Sequence, residues 1–220
     1  MENTTISQGK LRIAERESYG YLVSKRLIDI IGSLIGLIAL SPLFLIISIR
    51  IKLEDPKGAV FFGHKRVGEN GEMFKCWKFT SMIHNAEEIM KNFTTEQKKE
   101  FAENFKLKDD PRITKIGNLL RKTSLDEFPQ LWNILKGEMT LVGPRPIVTA
   151  ELEKYGKYEE NLKSVKPGLT GMWQVNGRSD TTYEERVMMD MQYISKRTLF
   201  LDVYLIFRTI VKVIKKEGAY

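Results

Sequence analysis

Residues 27–49 read LIDIIGSLIGLIALSPLFLIISI. Roughly 20 apolar residues suffice to cross a bilayer, so this run is long enough to span one. It is interrupted only by Asp29, small serines and glycines, and Pro42, and is apolar on nearly every helical face, which favours lipid over the core of a soluble protein. A cleaved signal peptide does not fit, because the preceding polar stretch is long and no small-residue cleavage site follows. Lys25 and Arg26 flank the start, and Arg50 and Lys52 flank the end. Positive residues stay on the cytoplasmic side, so two basic flanks give no polarity to a simple span. Pro42 removes a backbone donor and crowds the preceding turn, which predicts a break at Ser41-Pro42. A helix broken there can enter the membrane and return to the same face, and residue physics alone leaves that topology level with a straight span.

Outward from this run, the chain divides into a polar lead-in (1–20), the membrane segment (21–53) and one further domain (54–220). At 220 residues and 42% hydrophobic, it suits one compact domain plus an attachment. Lys and Arg total 35 against 28 acids, a formal charge of +7, which suits an anionic membrane, phosphorylated small molecules or nucleic acid without choosing among them. Cys76 is the single cysteine, which excludes an internal disulfide. With only His64 and His84 beside it, a typical zinc site is excluded too, so any metal is expected to be a hard cation on oxygen ligands, such as magnesium.

In the third segment, AVFFGHKRVGENGEMFKCWKF reads as two strands turning at Glu69-Asn70-Gly71. A helical pattern covers 85–105 and ends at Asp109-Asp110-Pro111, followed by helices over 113–122 and 126–135. Pro- and Gly-punctuated loops are expected from 137 to 177, with turn chemistry at Lys166-Pro167-Gly168 and Asn176-Gly177. Residues 183–196 are amphipathic. In the last stretch Arg208, Lys212, Lys215 and Lys216 form a basic stripe beside Phe207, Ile210, Val211 and Ile214, which suits an interfacial helix or an ordinary core helix equally.

The strongest local signal for chemistry is Thr123-Ser124-Leu125-Asp126-Glu127-Phe128-Pro129-Gln130. Ser124 followed three residues later by Glu127 has the spacing of a capping box, which predicts a helix start with two acids in its first turn. A carboxylate held ionised at a helix N-terminus can also act as a nucleophile, with its neighbour on a metal. Positive charge is near: Arg121 and Lys122 precede the acids, and Gly143-Pro144-Arg145-Pro146 stiffens the backbone around a guanidinium suited to phosphate. Lys78 alternates out of a strand. Asn176 and Arg178 are candidates for a nucleotide pocket, and Asp190 lies in an amphipathic helix. Each of these has an ordinary structural explanation as well.

Taken in order, Lys25-Arg26-Leu27-Ile28-Asp29, Ser41-Pro42, Lys78-Phe79, Ser124-Leu125-Asp126-Glu127, Leu141-Val142-Gly143-Pro144-Arg145-Pro146, Lys166-Pro167-Gly168 and Trp173-Gln174-Val175-Asn176-Gly177-Arg178 resemble the bacterial sugar transferases, the monotopic polyprenol-phosphate phosphoglycosyl transferases. The match runs from about residue 24 to near the C-terminus, in the manner of short members whose catalytic unit and single membrane segment are the whole protein.

The resemblance implies an α+β fold: an N-terminal re-entrant membrane helix-hairpin bent at Ser41 and Pro42, a small β-hairpin, and a mainly helical cytosolic catalytic domain with interfacial helices, held at the cytoplasmic face of a bacterial cell membrane. It implies that Asp126 attacks a UDP-sugar, releasing UMP, and that undecaprenyl phosphate then takes the sugar phosphate from the enzyme. Asp126 and Glu127 become the catalytic pair and the ligands of Mg2+, with Lys78, Arg121, Arg145, Arg178 and Asp190 on the substrate. Partners are the UDP-sugar, undecaprenyl phosphate and membrane lipids, with no nucleic acid, and a homodimer is left open. Members often carry a second basic residue two positions beyond Lys78, where this chain has Thr80, so that contact is missing or comes from elsewhere, for instance Arg66. The polar insert at 85–108 resembles that of members acting in capsule or exopolysaccharide synthesis, which points to galactose or glucose, with an N-acetylated amino sugar as the alternative. A membrane-tethered phosphate-binding protein would need the cations but not Asp126. A lipid phosphodiesterase would share the acids and pass the group to water.

Overall fold

The computed structural model describes residues 18–104, 107–177 and 181–215, excepting the side chains of 102–104 and 214. Helix α1 (Tyr19–Glu54) is 36 residues long and passes through Ser41 and Pro42 without ending, so the expected hairpin of two helices does not form. The reason is local. Pro42 has no N–H for the carbonyl of Ile38, and the Ser41 hydroxyl takes its place, donating to that oxygen at 2.8 Å. In an apolar setting an unmet carbonyl is costly, and the serine answers the gap its neighbour opens.

One face of α1 packs on the rest of the chain along the whole helix. Arg26 donates to the carbonyls of Ile134 and Leu135, at 2.7 and 2.8 Å. Asp29 accepts from the Thr140 hydroxyl and the Leu141 N–H, at 3.0 and 2.8 Å. Further along, Leu37 and Leu40 meet Leu131 and Ile134, and Ile47 and Ile51 meet Phe79 and Leu120. Glu54 finally accepts from the N–H groups of Lys115 and Ile116. Contact positions recur three or four apart, the spacing of one helical face. The opposite face exposes Leu27, Ile31, Leu34, Ile35, Ile38, Leu45, Ile46 and Ile49. Among the described residues α1 is the one helix long and apolar enough to cross a membrane. Lys25 and Arg26 flank the apolar run in sequence, yet both turn inward and bind the protein.

Strands β1 (Phe61–Val67) and β2 (Met73–Phe79) form the expected antiparallel hairpin, with Asn70 at φ 56° and Gly71 at φ 78° making the turn. The 85–105 pattern divides into α2 (Ala86–Lys91) and α3 (Thr95–Asn104), and α4 (Lys115–Thr123) follows. Helix α5 (Gln130–Lys136) starts later than expected. Where loops were predicted, β3 (Thr140–Val142), α6 (Glu159–Lys163), β4 (Gly168–Thr170) and α7 (Met172–Asn176) form, and β3 and β4 pair in parallel. The pairing depends on glycine: a Cβ on Gly168 would lie 2.1 Å from the backbone nitrogen of Gly143.

Helix α8 (Tyr183–Lys196) matches its expected span, and a capping box of Thr182 and Glu185 starts it. Its Val187, Met191 and Ile194 join Val142, Ile147 and Leu205 in the main core. Helix α9 (Leu199–Lys215) buries Leu205 and Asp202 but exposes Phe200, Val203, Phe207 and Ile210, so it has both a core face and an outward apolar face.

Candidate active site

The Asp126-Glu127 pair does not open a helix. Ser124 closes α4 in the left-handed conformation, φ 57°, and its side chain caps nothing. Leu125–Glu127 is a single 3-10 turn, and α5 waits until Gln130 because Pro129 has no N–H to donate to the Leu125 carbonyl, as a helix begun at Ser124 would require. The capping-box spacing therefore misled, and no helix N-terminus holds Asp126 ionised.

What acts on the acids instead is a set of cations from distant segments. The Lys78 ammonium, on β2, lies 2.6 Å from Glu127 Oε1 and 3.6 Å from Asp126 Oδ2. Arg145, just beyond β3, brings Nη2 to 3.6 Å from the same Glu127 oxygen and lies over the ring of Trp173. Arg121 on α4 donates through Nε to the Ser81 hydroxyl, and its charge reaches Asp126. Asp126 is buried, and burial raises its pKa against the pull of Lys78, with the neighbouring Glu127 charge adding to the rise. Burial also works against ionised Glu127, but Lys78 and Arg145 outweigh it and hold that carboxyl well below the usual range. Two adjacent carboxyls are thus driven apart in proton affinity, as in sites that assign different roles to paired acids.

The positioning is traceable. Asn133 on α5 is fully buried; its amide accepts from the Trp77 N–H and donates to the Lys75 carbonyl, fixing β2, and with it Lys78, beside the acids. The carbonyl of Val142, three residues before Arg145, accepts from both Lys25 Nζ and the Tyr193 hydroxyl at 2.8 Å. Asp202 binds the same lysine and tyrosine, at 2.9 and 2.7 Å.

Of the residues expected at the site, Lys78, Asp126, Glu127 and Arg145 meet directly, and Arg121 stands next to them. Asp190 does not reach the surface. It is wholly buried on α8; Oδ2 accepts from the Tyr155 hydroxyl at 2.8 Å, and Oδ1 has no partner among the described residues. Burial pushes its pKa up to about 7, against Tyr155 and the charge of Arg145, so it stands behind the site rather than on it. Arg178 lies outside the described residues, and Asn176 ends α7 rather than a loop. Ser41 and Pro42 belong to α1. The cleft next to Glu127 also takes Arg66, Gln130 and Gln174 as walls. No pattern in the sequence marks the two glutamines, although Gln130 sits within the segment that carries the acids. As to metal, no three His, Cys, Asp or Glu side chains cluster among the described residues. Two adjacent carboxylates nonetheless fit magnesium, which takes one or two from protein and completes its shell with substrate phosphates and water.

Residues 20–216 match the model of the bacterial sugar transferase family. The chain is 46% identical over 199 residues to a UDP-galactose-lipid carrier transferase of Erwinia amylovora, covering 89% of this chain and 41% of that protein. It is 45% identical over 199 residues to an undecaprenyl-phosphate galactose phosphotransferase of Salmonella typhimurium, with the same coverages of 89% and 41%. With the exopolysaccharide production protein ExoY of Sinorhizobium fredii, it shares 44% identity over 201 residues, 90% of this chain and 88% of that one. The chain thus spans about two-fifths of the first two relatives and most of the third. On the breadth of the family match and the near end-to-end similarity to the third relative, this chain belongs to the bacterial sugar transferase family.

Proposed function

We propose that this protein transfers a sugar-1-phosphate, galactose-1-phosphate by first choice, from a UDP-sugar to undecaprenyl phosphate through a covalent aspartyl intermediate. The observation that carries the reading is the meeting of Lys78, Glu127 and Arg145 at one cleft, with the buried Asp126 behind Lys78, in a domain that also holds an outward-facing apolar helix. The names of the relatives support the donor and the lipid carrier.

In the first half-reaction, an Asp126 carboxylate oxygen attacks the β-phosphorus of the donor. A phosphorus–oxygen bond forms, the bond from that phosphorus to the oxygen bridging the two phosphates breaks, and UMP leaves with the electron pair. In the second, an oxygen of the lipid phosphate attacks the same phosphorus, the acyl-phosphate bond breaks, and Asp126 returns as a carboxylate. Lys78 and Arg145 balance charge that builds on the phosphoryl oxygens. Magnesium held by Glu127, with or without Asp126, would offset phosphate charge and steady the leaving group. The packing of α1 along the domain from Arg26 to Glu54 supports a helix that dips into one leaflet with both ends on the catalytic, cytoplasmic side.

The test is UMP release from UDP-galactose, UDP-glucose and their N-acetylated amino-sugar analogues with magnesium, with and without undecaprenyl phosphate. Lipid-dependent release from one donor, lost in Asp126→Asn, is the expected result. Full activity in Asp126→Asn would sink the covalent mechanism, and release without the lipid would favour water as acceptor.

A further inference from the structure

We propose that Arg66 is a second guanidinium for the donor's diphosphate, lining the same cleft as Arg145; this rests on the reading above. Arg66 lies on β1, where the hairpin register pairs it with Phe74 and pairs His64 with Cys76. Side chains alternate along a strand, so Arg66 shares a hairpin face with Cys76 and Lys78. It lines the cleft with Lys78, Glu127 and Arg145, and its side chain is only 17% exposed.

Its bonds are too weak to explain its place. Among the described residues it donates through Nη1 alone, to the Pro146 carbonyl at 3.3 Å and the Glu151 carboxylate at 3.5 Å, both long for a charge-assisted bond. That same Glu151 oxygen already accepts from the Val148 N–H at 3.0 Å. Burial and the nearby Arg145 charge both make it harder for Arg66 to hold its proton, and Glu151 and Glu127 offset this only in part. Two guanidiniums brought together in a partly dry cleft repel each other, and an anion between them removes that cost. A diphosphate fits, since the planar fork of arginine matches phosphate oxygens two at a time.

The same placement answers the departure at Thr80. Its hydroxyl is buried with no partner among the described residues, so it offers nothing to a ligand. On this side of the hairpin the cation beyond Lys78 comes from the neighbouring strand.

Arg66→Gln is the informative variant, because the amide can still donate to Pro146 while the charge and the fork are lost. On the full chain in detergent with magnesium, affinity for UDP by calorimetry should fall about tenfold. The KM for the UDP-sugar should rise to match, with the KM for undecaprenyl phosphate unchanged. Arg66→Lys should recover part of the loss, as a point charge without the fork. UDP affinity equal to wild type in Arg66→Gln would overturn the proposal. So would an equal rise in both KM values, which is what general loosening of the site produces. If the wild type binds UDP in an Arg66-dependent way but releases no UMP from any UDP-sugar, the transferase reading fails and the diphosphate clamp stands.

Discussion

At Asp126 a buried carboxyl sits beside a more acidic neighbour, and three cations decide which of the two is charged. Burial raises the Asp126 pKa, while Lys78, Arg121 and Arg145 oppose the rise. On the proposed mechanism Asp126 attacks as a carboxylate, so activity should fall as pH drops through that raised pKa. The acid limb of the rate profile should therefore lie above the ordinary aspartate range. Lys78 is the largest of the opposing influences. Lys78→Gln removes it, lifts the Asp126 pKa further and should move the acid limb to higher pH. It should also lower kcat about a hundredfold, by taking a positive group from the phosphoryl oxygens. The measurement is kcat/KM against pH for UMP release in the two proteins, because that ratio follows the groups of the free enzyme. A limb that stays in place would show that Asp126 is not the titrating group or that Lys78 does not act on it.

Among the elements, the parallel pair of β3 and β4 does most to place the arginine. Each strand has three residues, and just past the end of β3 the Pro144 carbonyl accepts from Gly168 at 2.7 Å while Gly143 donates to the Thr170 carbonyl at 2.9 Å. Gly168→Ala would put a methyl carbon 2.1 Å from the Gly143 nitrogen, so the segments must separate and carry Arg145 away from Glu127. Overpacking of this kind costs about 1–3 kcal/mol. A lower Tm together with a kcat reduced by at least about tenfold is expected, and wild-type values of both would refute the account. These elements also mark where sequence reading succeeds. The Asn70-Gly71 turn and the amphipathic 183–196 stretch carry local signals, and both elements formed as read. Strands of three residues are too short to show a period, and the contact of Gly143 with Gly168 is invisible until the chain folds. Ser124 and Glu127 have the spacing of a cap, but Ser124 precedes a 3-10 turn that ends at Glu127, and α5 starts only after Pro129. Lys25, Arg26 and Asp29 have the look of a membrane anchor in sequence because their partners lie 108 to 177 residues away. Lys78, Asp126, Glu127 and Arg145 were legible as a set only through the order of family motifs, since no local spacing unites Lys78, Asp126 and Arg145.

On the scale of the whole molecule, α1 has two jobs that pull in different directions, and Asp29 separates them. As a membrane anchor the helix is improved by any change that makes it more apolar, and Asp29→Leu is such a change. As a strut of the catalytic domain it is damaged, because Asp29 is buried and accepts from Thr140 and Leu141, the start of the segment that runs on to Arg145. Loss of the carboxylate leaves two buried donors unmet, at about 1–3 kcal/mol each. Asp29→Leu should therefore stay with the membrane through alkaline extraction as fully as wild type, while transferase activity drops at least about tenfold. Asp29→Asn, which keeps an accepting oxygen, should fall between the two. The same docking leads to a test of the proposed topology. A helix of 36 residues would be roughly 54 Å long if straight, far more than the roughly 30 Å hydrocarbon core, yet it is docked on one domain from end to end. Cysteines placed at Tyr19 and Lys57, both exposed, should be labelled by an impermeant reagent from the same side of the membrane, with Cys76 silent because it is buried. Wild-type activity in Asp29→Leu would show that docking of the helix is irrelevant to catalysis. Labelling of the two ends from opposite sides would show that α1 leaves the domain and crosses.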